Sequence, residues 1–200
     1  MATADRTPTI ADEDVPHLPR QFYTRPTLEV ARDLLGRRLC RRLDDGRVLA
    51  GRIVEVEAYD GPNDRASHAF RGPTPRNAPM FGPGGHAYVY LVYGMHHCLN
   101  VVTGDEGYPA AVLLRAAEPP SVSSASGPGR LTRAFGVDRA LDGADFTGRT
   151  LWIAAGQPVA SRQIKRTARI GVDYAGAWAK RKYRFVIAGH TAASGPKTLR

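Results

Sequence analysis

Cysteine and long apolar runs are both scarce in this chain. Only two of its 200 residues are cysteine, Cys40 and Cys98, and each lies in an apolar, strand-like context. We therefore expect two buried free thiols in a reducing cytoplasm and not a disulfide. Charge, glycine or proline interrupts every apolar stretch, so we expect no membrane span. Residues 1–19 have four acidic side chains and no apolar segment, and we interpret them as a disordered leader and not as a signal peptide.

Acidic residues become scarce after residue 120. Residues 1–120 have 14 basic and 15 acidic side chains, whereas residues 121–200 have 14 basic and 4 acidic ones. A basic half indicates a polyanionic partner or a charge that only keeps the protein soluble, and the count does not separate the two. Arginine outnumbers lysine 24 to 4, which suits phosphate contacts but would also follow from a GC-rich coding sequence.

Motifs for metals, nucleotides and covalent nucleophiles are missing. His96, His97 and Cys98 are adjacent, so their side chains alternate in direction along a strand, and no CxxC or HxxxH spacing occurs. No P-loop or GxSxG is present, and "GPGGHAY" leads into a predicted strand instead of a helix. We therefore expect neither a metal nor an organic cofactor, and no fold built on regular β–α alternation.

The remaining pattern predicts a single α+β domain over residues 20–200, with an antiparallel sheet and flanking helices. Its expected elements, in chain order, are a helix over Leu28–Leu35 capped by Thr27 and ended by Gly36, a hairpin turning at Asp45-Gly46, a long loop over residues 60–86, a second hairpin turning near Gly94-Met95, a strand over residues 110–119 and a short helix over residues 129–137.

One predicted strand brings carboxylates and a phenol to a common face. Side chains alternate along "RIVEVEAYD", so Ile53, Glu55, Glu57 and Tyr59 point to the same side. Two carboxylates beside a tyrosine suit acid–base chemistry. The solvated face of an antiparallel strand has the same alternation, and this segment taken alone favours that interpretation.

Tyrosines are concentrated in the second predicted hairpin. Tyr88 and Tyr90 point to one side of the strand and Tyr93 to the other, next to Gly94 at the turn. Ordinary core packing of tyrosines in a strand would give the same pattern. A tyrosine at a hairpin tip is poorly placed for a core, however, and aromatic side chains are a common means of gripping single bases. The hairpin therefore favours a nucleic acid as the polyanionic partner.

Six segments of the chain resemble the alkyladenine DNA glycosylases, also called methylpurine or 3-methyladenine DNA glycosylases, of the type unrelated to helix-hairpin-helix glycosylases. The segments are "VARDLLGRRL" (30–39), "GRIVEVEAYDGPNDRASHAFRG" (51–72), "TPRNAPMFGPGGHAYVYLVYGMHHCLNVV" (74–102), "AAVLLRAAEP" (110–119), "GPGRLTRAFGV" (127–137) and "ARIGVDYAGAWAKRKYRFVIAG" (168–189). They cover most of residues 20–190 in the family's order. The resemblance implies a curved antiparallel sheet and a protruding hairpin that intercalates into DNA.

The resemblance also implies an activity, which is to flip damaged purines out of duplex DNA and to hydrolyse their N-glycosidic bond. The purines would be alkylated, and deaminated or etheno purines are an extension of the same class. Glu57 matches the general base that activates water, and Arg115 matches the residue that positions this water and the nearby phosphate. The matched DNA contacts are Tyr59 on one face of the flipped base, His68 and Tyr90 on the other face, Asn100 in the base pocket and Tyr93 in the gap left in the duplex.

Two features depart from the family or lack an implied role. The tail "HTAASGPKTLR" replaces an apolar ending, which puts its docking in question, and His96 and His97 stand where family members vary. Glu55 is expected to be structural. We expect a monofunctional enzyme, because the four lysines lie far from the motifs and lyase chemistry needs an amine. It would act as a monomer on double-stranded DNA in the cytoplasm.

Two alternatives fit parts of the same sequence. A catalytically silent DNA-binding module of this fold would keep the basic half and lose the carboxylate, yet Glu57 and Arg115 are both present. A non-catalytic single-strand DNA or RNA-binding module could stack bases on the hairpin tyrosines. That module leaves Glu57 unexplained, since an acidic group in a nucleic-acid site weakens binding.

Overall fold

A computed structural model describes residues 16–119 and 124–195 of the chain. The α-helices are α1 (Arg20–Tyr23), α2 (Thr27–Leu34) and α3 (Pro128–Ala134). The strands are β1 (Arg38–Arg42), β2 (Val48–Tyr59), β3 (Ala87–Val92), β4 (His96–Val102), β5 (Ala111–Ala117), β6 (Leu151–Ala154), β7 (Ile164–Thr167) and β8 (Arg184–Ile187). Short 3₁₀ segments lie at Ala78–Phe81, Arg139–Leu141, Ser161–Gln163 and Asp173–Lys180.

The strands form one curved antiparallel sheet, so the predicted α+β class is confirmed. Its main order is β3-β4-β5-β2-β1-β6, and β8 joins β2 and carries β7. The long strand β2 is the hub: its first half pairs with β1, and its second half pairs with β5 and β8. Residues at the end of β2 therefore lie among several elements, which explains why carboxylates placed there become buried.

Both predicted hairpins are present. Strands β1 and β2 are joined through a turn in which Gly46 has φ +83°, and β3 and β4 pair in register from Ala87–Val101 to Val92–His96. Tight turns need such left-handed residues, and glycine adopts them without strain. Residues 60–86 form a long loop, as the sequence predicted, and it contains a 3₁₀ segment at Ala78–Phe81 and a single bridge from His86 to Asp145.

The predicted start of helix α2 is one residue too late. The helix begins at Thr27, and Pro26 occupies the N-cap position without a side-chain hydrogen bond. Thr27 is buried, and its hydroxyl oxygen accepts a hydrogen bond from Thr103 at 3.2 Å. The threonine therefore ties the helix to the sheet, and it does not cap the helix. Gly36 follows the helix at φ +85°, as expected for its end.

The ends of the chain differ from the sequence prediction. Residues 1–15 of the predicted leader lie outside the described residues. Residues 16–19 are not a leader, because the Leu18 amide donates to Ile153 at 2.9 Å and the Leu18 side chain is buried in the main core. At the other end, Ala193 and Ser194 are buried, so the atypical tail does dock as far as the structure describes it. Within residues 16–119 and 124–195, none of the helices is long and apolar enough to span a bilayer.

Candidate active site

Glu57 is the chemical centre of the candidate site. It lies in the second half of β2 and is fully buried. Its Oε1 accepts a hydrogen bond from the Ile170 amide at 2.8 Å, and its Oε2 accepts from the Tyr59 hydroxyl at 3.0 Å and from Arg115 Nη1 at 3.2 Å. The solvated strand face that the sequence allowed is therefore wrong. Burial raises the pKa of Glu57, although Arg115 and the Ile170 amide oppose the rise.

Glu55 lies two residues earlier on β2 and is also fully buried. Its carboxylate accepts from Arg115 Nε, Arg184 Nε and the Ser194 hydroxyl, each at 2.8 Å. Burial opposes the charged form, but the bond from Arg184 and the charge of Arg115 outweigh it, so the pKa of Glu55 is lowered. The two carboxylates of the strand thus have opposite pKa shifts, and Arg115 bridges them.

The common face predicted for β2 does not extend to Ile53. Register shifts flank Glu55 where β2 pairs with β5, and Ile53 packs within the main apolar core. A bulge of this kind re-aims side chains locally. Glu55, Glu57 and Tyr59 remain together, as their hydrogen bonds show.

A cleft of about 600 Å³ opens beside Glu57. Its walls include the three partners of the Glu57 carboxylate, which are Tyr59, Arg115 and Ile170. The other predicted site residues also line it: His68, Tyr90, Tyr93 and Asn100. The structure therefore brings all seven positions predicted from the sequence to one cleft, with Glu57 directly behind its wall.

One wall of the cleft is an aromatic cluster. The His68 and Tyr90 rings lie 4.5 Å apart between centroids, and Tyr88 lies 5.1 Å from Tyr90. His68 Nδ1 forms a 2.9 Å hydrogen bond with the Tyr88 hydroxyl. Desolvation and the nearby Arg76 lower the pKa of His68, which favours a neutral imidazole near pH 7. Such a wall offers uncharged π faces and edges to a planar ligand.

Asn100 is held from the opposite strand. It is buried on β4, and its amide nitrogen donates to the Tyr88 carbonyl oxygen at 2.9 Å. Tyr88 is its cross-strand partner, so the sheet register fixes the direction of the amide. A side chain oriented in this way presents a fixed polar group to a ligand in the cleft.

Tyr93 lies in the turn between β3 and β4 and is 90% exposed. Its φ of +51° is left-handed, the only such value for a non-glycine residue in the described chain. Met95, in the same turn, is 70% exposed. The interpretation of Tyr93 as ordinary core is therefore wrong, and the hairpin tip presents bare apolar surface to solvent.

The charges of the basic half are not all on the surface. Arg169 and Arg184 are buried, and they pair with Asp64 and Glu55 from the first half of the chain. The basic residues after residue 120 therefore fall into two groups. Some neutralise buried carboxylates, and only the others can bind a polyanion.

Several site residues escaped the sequence analysis. Ile170 contributes its backbone amide, which no side-chain pattern reveals. Arg76 and Tyr174 line the cleft, and Asp64 and Arg169 form a buried ion pair behind Tyr59. Within the described residues, no cluster of three or more potential metal ligands occurs, and both thiols are free and buried.

Comparison with known proteins shows the family. The family model for methylpurine-DNA glycosylase matches residues 21–191. The chain therefore belongs to the methylpurine-DNA glycosylase family and is a DNA N-glycosylase, a hydrolase of DNA repair.

Similar proteins from several organisms carry one name, "Putative 3-methyladenine DNA glycosylase". The protein of Anaeromyxobacter dehalogenans is 54% identical over 182 residues, which are 90% of this chain and 86% of the relative. The protein of Methanocella arvoryzae is 54% identical over 187 residues, covering 86% of this chain and 92% of the relative. That of Myxococcus xanthus is 51% identical over 174 residues, covering 85% and 89%.

Proposed function

We propose that this DNA glycosylase flips damaged purines, above all alkylated ones, out of duplex DNA and hydrolyses their N-glycosidic bond with a water activated by Glu57. The observation that carries the proposal is a buried carboxylate of raised pKa whose hydrogen-bond partners line an aromatic cleft. A pKa raised towards neutrality makes an ionised carboxylate a stronger base at neutral pH. The names of the relatives point to 3-methyladenine as one substrate.

The proposed step begins with a water held beside Arg115 and Ile170, next to Glu57. Both residues line the cleft and hydrogen-bond to the carboxylate, so a water between them reaches it. The water oxygen bonds to C1′ of the sugar, the C1′–N bond breaks, and its electron pair leaves with the purine. The water proton passes to Glu57. General-base assistance of this kind contributes about 10²- to 10⁴-fold to the rate.

The cleft walls suit the flipped base. Tyr59 would contact one face, and His68 with Tyr90 the other face, at about 1–3 kcal/mol of stacking per base. An alkylated purine carries positive charge, which adds a cation–π attraction to the tyrosines. Such a base is also a good leaving group, so the enzyme mainly has to supply the nucleophile.

The remaining roles follow from position. Asn100 would screen purines by their polar edge, and Tyr93 would fill the gap in the duplex. None of the described residues that line the cleft is a lysine, which supports a monofunctional enzyme without lyase chemistry. We place the protein in the cytoplasm as a monomer on double-stranded DNA.

The alternative of a non-catalytic single-strand DNA or RNA-binding module is less well supported. Tyr88 is buried among Ala69, Met80 and other apolar groups, so the hairpin tyrosines do not form one exposed platform. Glu57 would also remain unexplained in such a module. The buried carboxylate favours catalysis.

The test is base release from duplex DNA that contains 3-methyladenine, hypoxanthine or ethenoadenine. Wild type should excise at least one of these bases in single turnovers, and Glu57→Gln should lose excision while it still binds the lesion. Glu118→Gln is the matched control, because this partly exposed carboxylate pairs with Arg52 and His190 outside the cleft. Excision by Glu57→Gln within a few-fold of wild type would remove Glu57 from the mechanism.

A further inference from the structure

Arg115 is shared unequally between the two carboxylates of β2. Its Nε donates to Glu55 at 2.8 Å, and its Nη1 donates to Glu57 at 3.2 Å. The shorter bond thus goes to the carboxylate that is not the proposed base. A guanidinium usually prefers two parallel bonds to one carboxylate, and here that arrangement is not formed with Glu57.

Glu55 is itself held in place from the far end of the chain. Its oxygens accept from the Ser194 amide and hydroxyl as well as from Arg184 Nε. Arg184 Nη2 in turn donates to the Ser194 carbonyl oxygen at 3.0 Å, and Arg115 Nη2 lies 3.4 Å from the Ser194 hydroxyl. Two segments outside β2 therefore clamp Glu55, and Glu55 clamps Arg115.

We propose that Glu55, fixed by Arg184 and Ser194, is a positioning residue. It holds Arg115 by Nε and so limits Arg115 to one hydrogen bond with Glu57. The inference rests on the proposed function of Glu57 as the general base. With Glu55 in place, one guanidinium nitrogen reaches Glu57 at Oε2, and Oε1, which accepts from the Ile170 amide, keeps one lone pair for a water. Without the anchor, Arg115 can turn and donate one hydrogen bond to each oxygen of Glu57, which would occupy that lone pair.

The charges around Glu57 predict the direction in which its pKa changes when Glu55 is replaced. Besides Arg115 and Glu55, the charged and titratable groups that act on or sense Glu57 are Tyr59 from β2, Tyr90 from β3, Cys98 from β4 and Arg169 after β7. Replacing Glu55 by glutamine removes a neighbouring negative charge and frees a positive one. Both changes favour the ionised form of Glu57, so its pKa should fall and its strength as a base should drop.

The experiment is the pH dependence of single-turnover base release by wild type, Glu55→Gln and the Glu118→Gln control. Glu55→Gln should bind the lesion as wild type does but excise it about 10- to 100-fold more slowly, the scale of a misplaced catalytic group. In the profile of rate against pH, the low-pH limb, where the rate declines as pH falls, should move to lower pH for Glu55→Gln. The Glu118→Gln profile should match wild type. A rate that falls equally at every pH, with the limb unmoved, would show a merely structural role and overturn the proposal.

A milder variant keeps the test decisive if Glu55→Gln does not fold. Ser194→Ala leaves every charge in place and removes one donor to Glu55. It should excise about 2- to 10-fold more slowly, the equivalent of one hydrogen bond, with the limb shifted in the same direction. A wild-type rate and a wild-type limb for Ser194→Ala would contradict the proposal that Ser194 and Glu55 position Arg115. If Glu57→Gln is inactive while both anchor variants keep the wild-type limb, only this inference fails; if Glu57→Gln remains active, the proposed function itself fails.

Discussion

The Arg169 guanidinium lies over the Tyr59 ring, with its carbon 4.7 Å from the ring centroid. The same group donates to both oxygens of Asp64, and one of these bonds measures 2.8 Å. Arg169 also lies 5.3 Å from the Tyr183 ring centroid and donates to the Ala58 carbonyl oxygen. One wall of the cleft is thus backed by a buried cation whose charge a loop carboxylate balances, and the orientation of Tyr59 depends on this ion pair.

Asp64→Asn should destabilise the fold strongly. Both partners of the ion pair are buried, and removal of one leaves an uncompensated charge at a cost of about 3–5 kcal/mol. Asp64 also accepts from the Asp60 and Ala66 amides, so the loop should loosen as well. Denaturant unfolding measures the free energy of unfolding.

Asp33→Asn is the matched control for that measurement. Asp33 pairs with Arg25 and Arg32 at the surface, where such pairs contribute about 0–1 kcal/mol. Equal losses for Asp64→Asn and Asp33→Asn would mean that the buried pair is not needed for stability.

Base release should fall on the acid side of neutrality. The proposed base must be ionised, and the raised pKa of Glu57 places its protonation above the range of an ordinary glutamate. Burial keeps the phenol of Tyr59 protonated, since its pKa is raised well above the usual value, so it continues to donate to Glu57. Single-turnover rates across pH should therefore show one limb that declines as pH falls.

His68 is a second candidate for this titration, because it lines the cleft and its lowered pKa also places its protonation on the acid side of neutrality. His68→Phe should change the rate but leave the position of the low-pH limb unchanged. A limb that disappears in His68→Phe would assign the titration to the imidazole and contradict the role given to Glu57.

Short-range features of the site were predictable from the sequence, and long-range ones were not. Strand alternation placed Glu57 beside Tyr59, and the tip tyrosine was identified by its position next to Gly94. The clamp on Glu55 joins residues 139 positions apart, and the Asp64–Arg169 pair joins residues 105 positions apart. Such partners depend on how the whole chain folds, so local periodicity does not identify them.

The bulge beside Glu55 and the docked tail were missed for related reasons. A bulge leaves no mark in the alternation of polar and apolar residues, since it shifts the pairing and not the composition. The tail lacks apolar bulk, and it docks through the amide, hydroxyl and carbonyl groups of Ser194. Because the tail is held by hydrogen bonds and not by apolar packing, its composition did not reveal that it docks.

DNA binding should weaken steeply with salt, through exposed arginines near the cleft. Arg130 is exposed on α3, whose first residue Pro128 lines the cleft, whereas Arg184 is buried against Glu55. Each neutralised phosphate adds a slope of about −0.9 to log affinity against log salt. Arg130→Gln should therefore flatten the slope by about 0.9 in binding titrations on duplex DNA.

Arg162→Gln is the control for the salt series. Arg162 is also exposed, but it follows Ser161, which lines a separate groove together with Leu28 and Phe185. Its replacement should leave the slope unchanged. A slope that responds to Arg162 and not to Arg130 would place DNA at the Ser161 groove and not at the cleft.

Tyr93→Asn should separate stability from DNA distortion. Tyr93 buries little surface and holds a left-handed φ of +51°, a conformation that costs most residues about 1–2 kcal/mol and that asparagine tolerates better. The variant should thus be as stable as wild type or slightly more stable. Its ability to hold a flipped nucleotide should fall, because the gap in the duplex would lose its filler and unstacking costs a few kcal/mol.

The loss should depend on how well the lesion is paired. Well-paired lesions need the most unstacking, so Tyr93→Asn should weaken their flipping most, and mismatched lesions should be affected least. The fluorescence of ethenoadenine reports the flipping equilibrium, and thermal unfolding reports stability. Tyr88→Ala gives the contrast, since this buried aromatic should cost about 3–5 kcal/mol of stability. If Tyr93→Asn melts as early as Tyr88→Ala while it flips ethenoadenine normally, the tip residue supports the fold and does not enter the duplex.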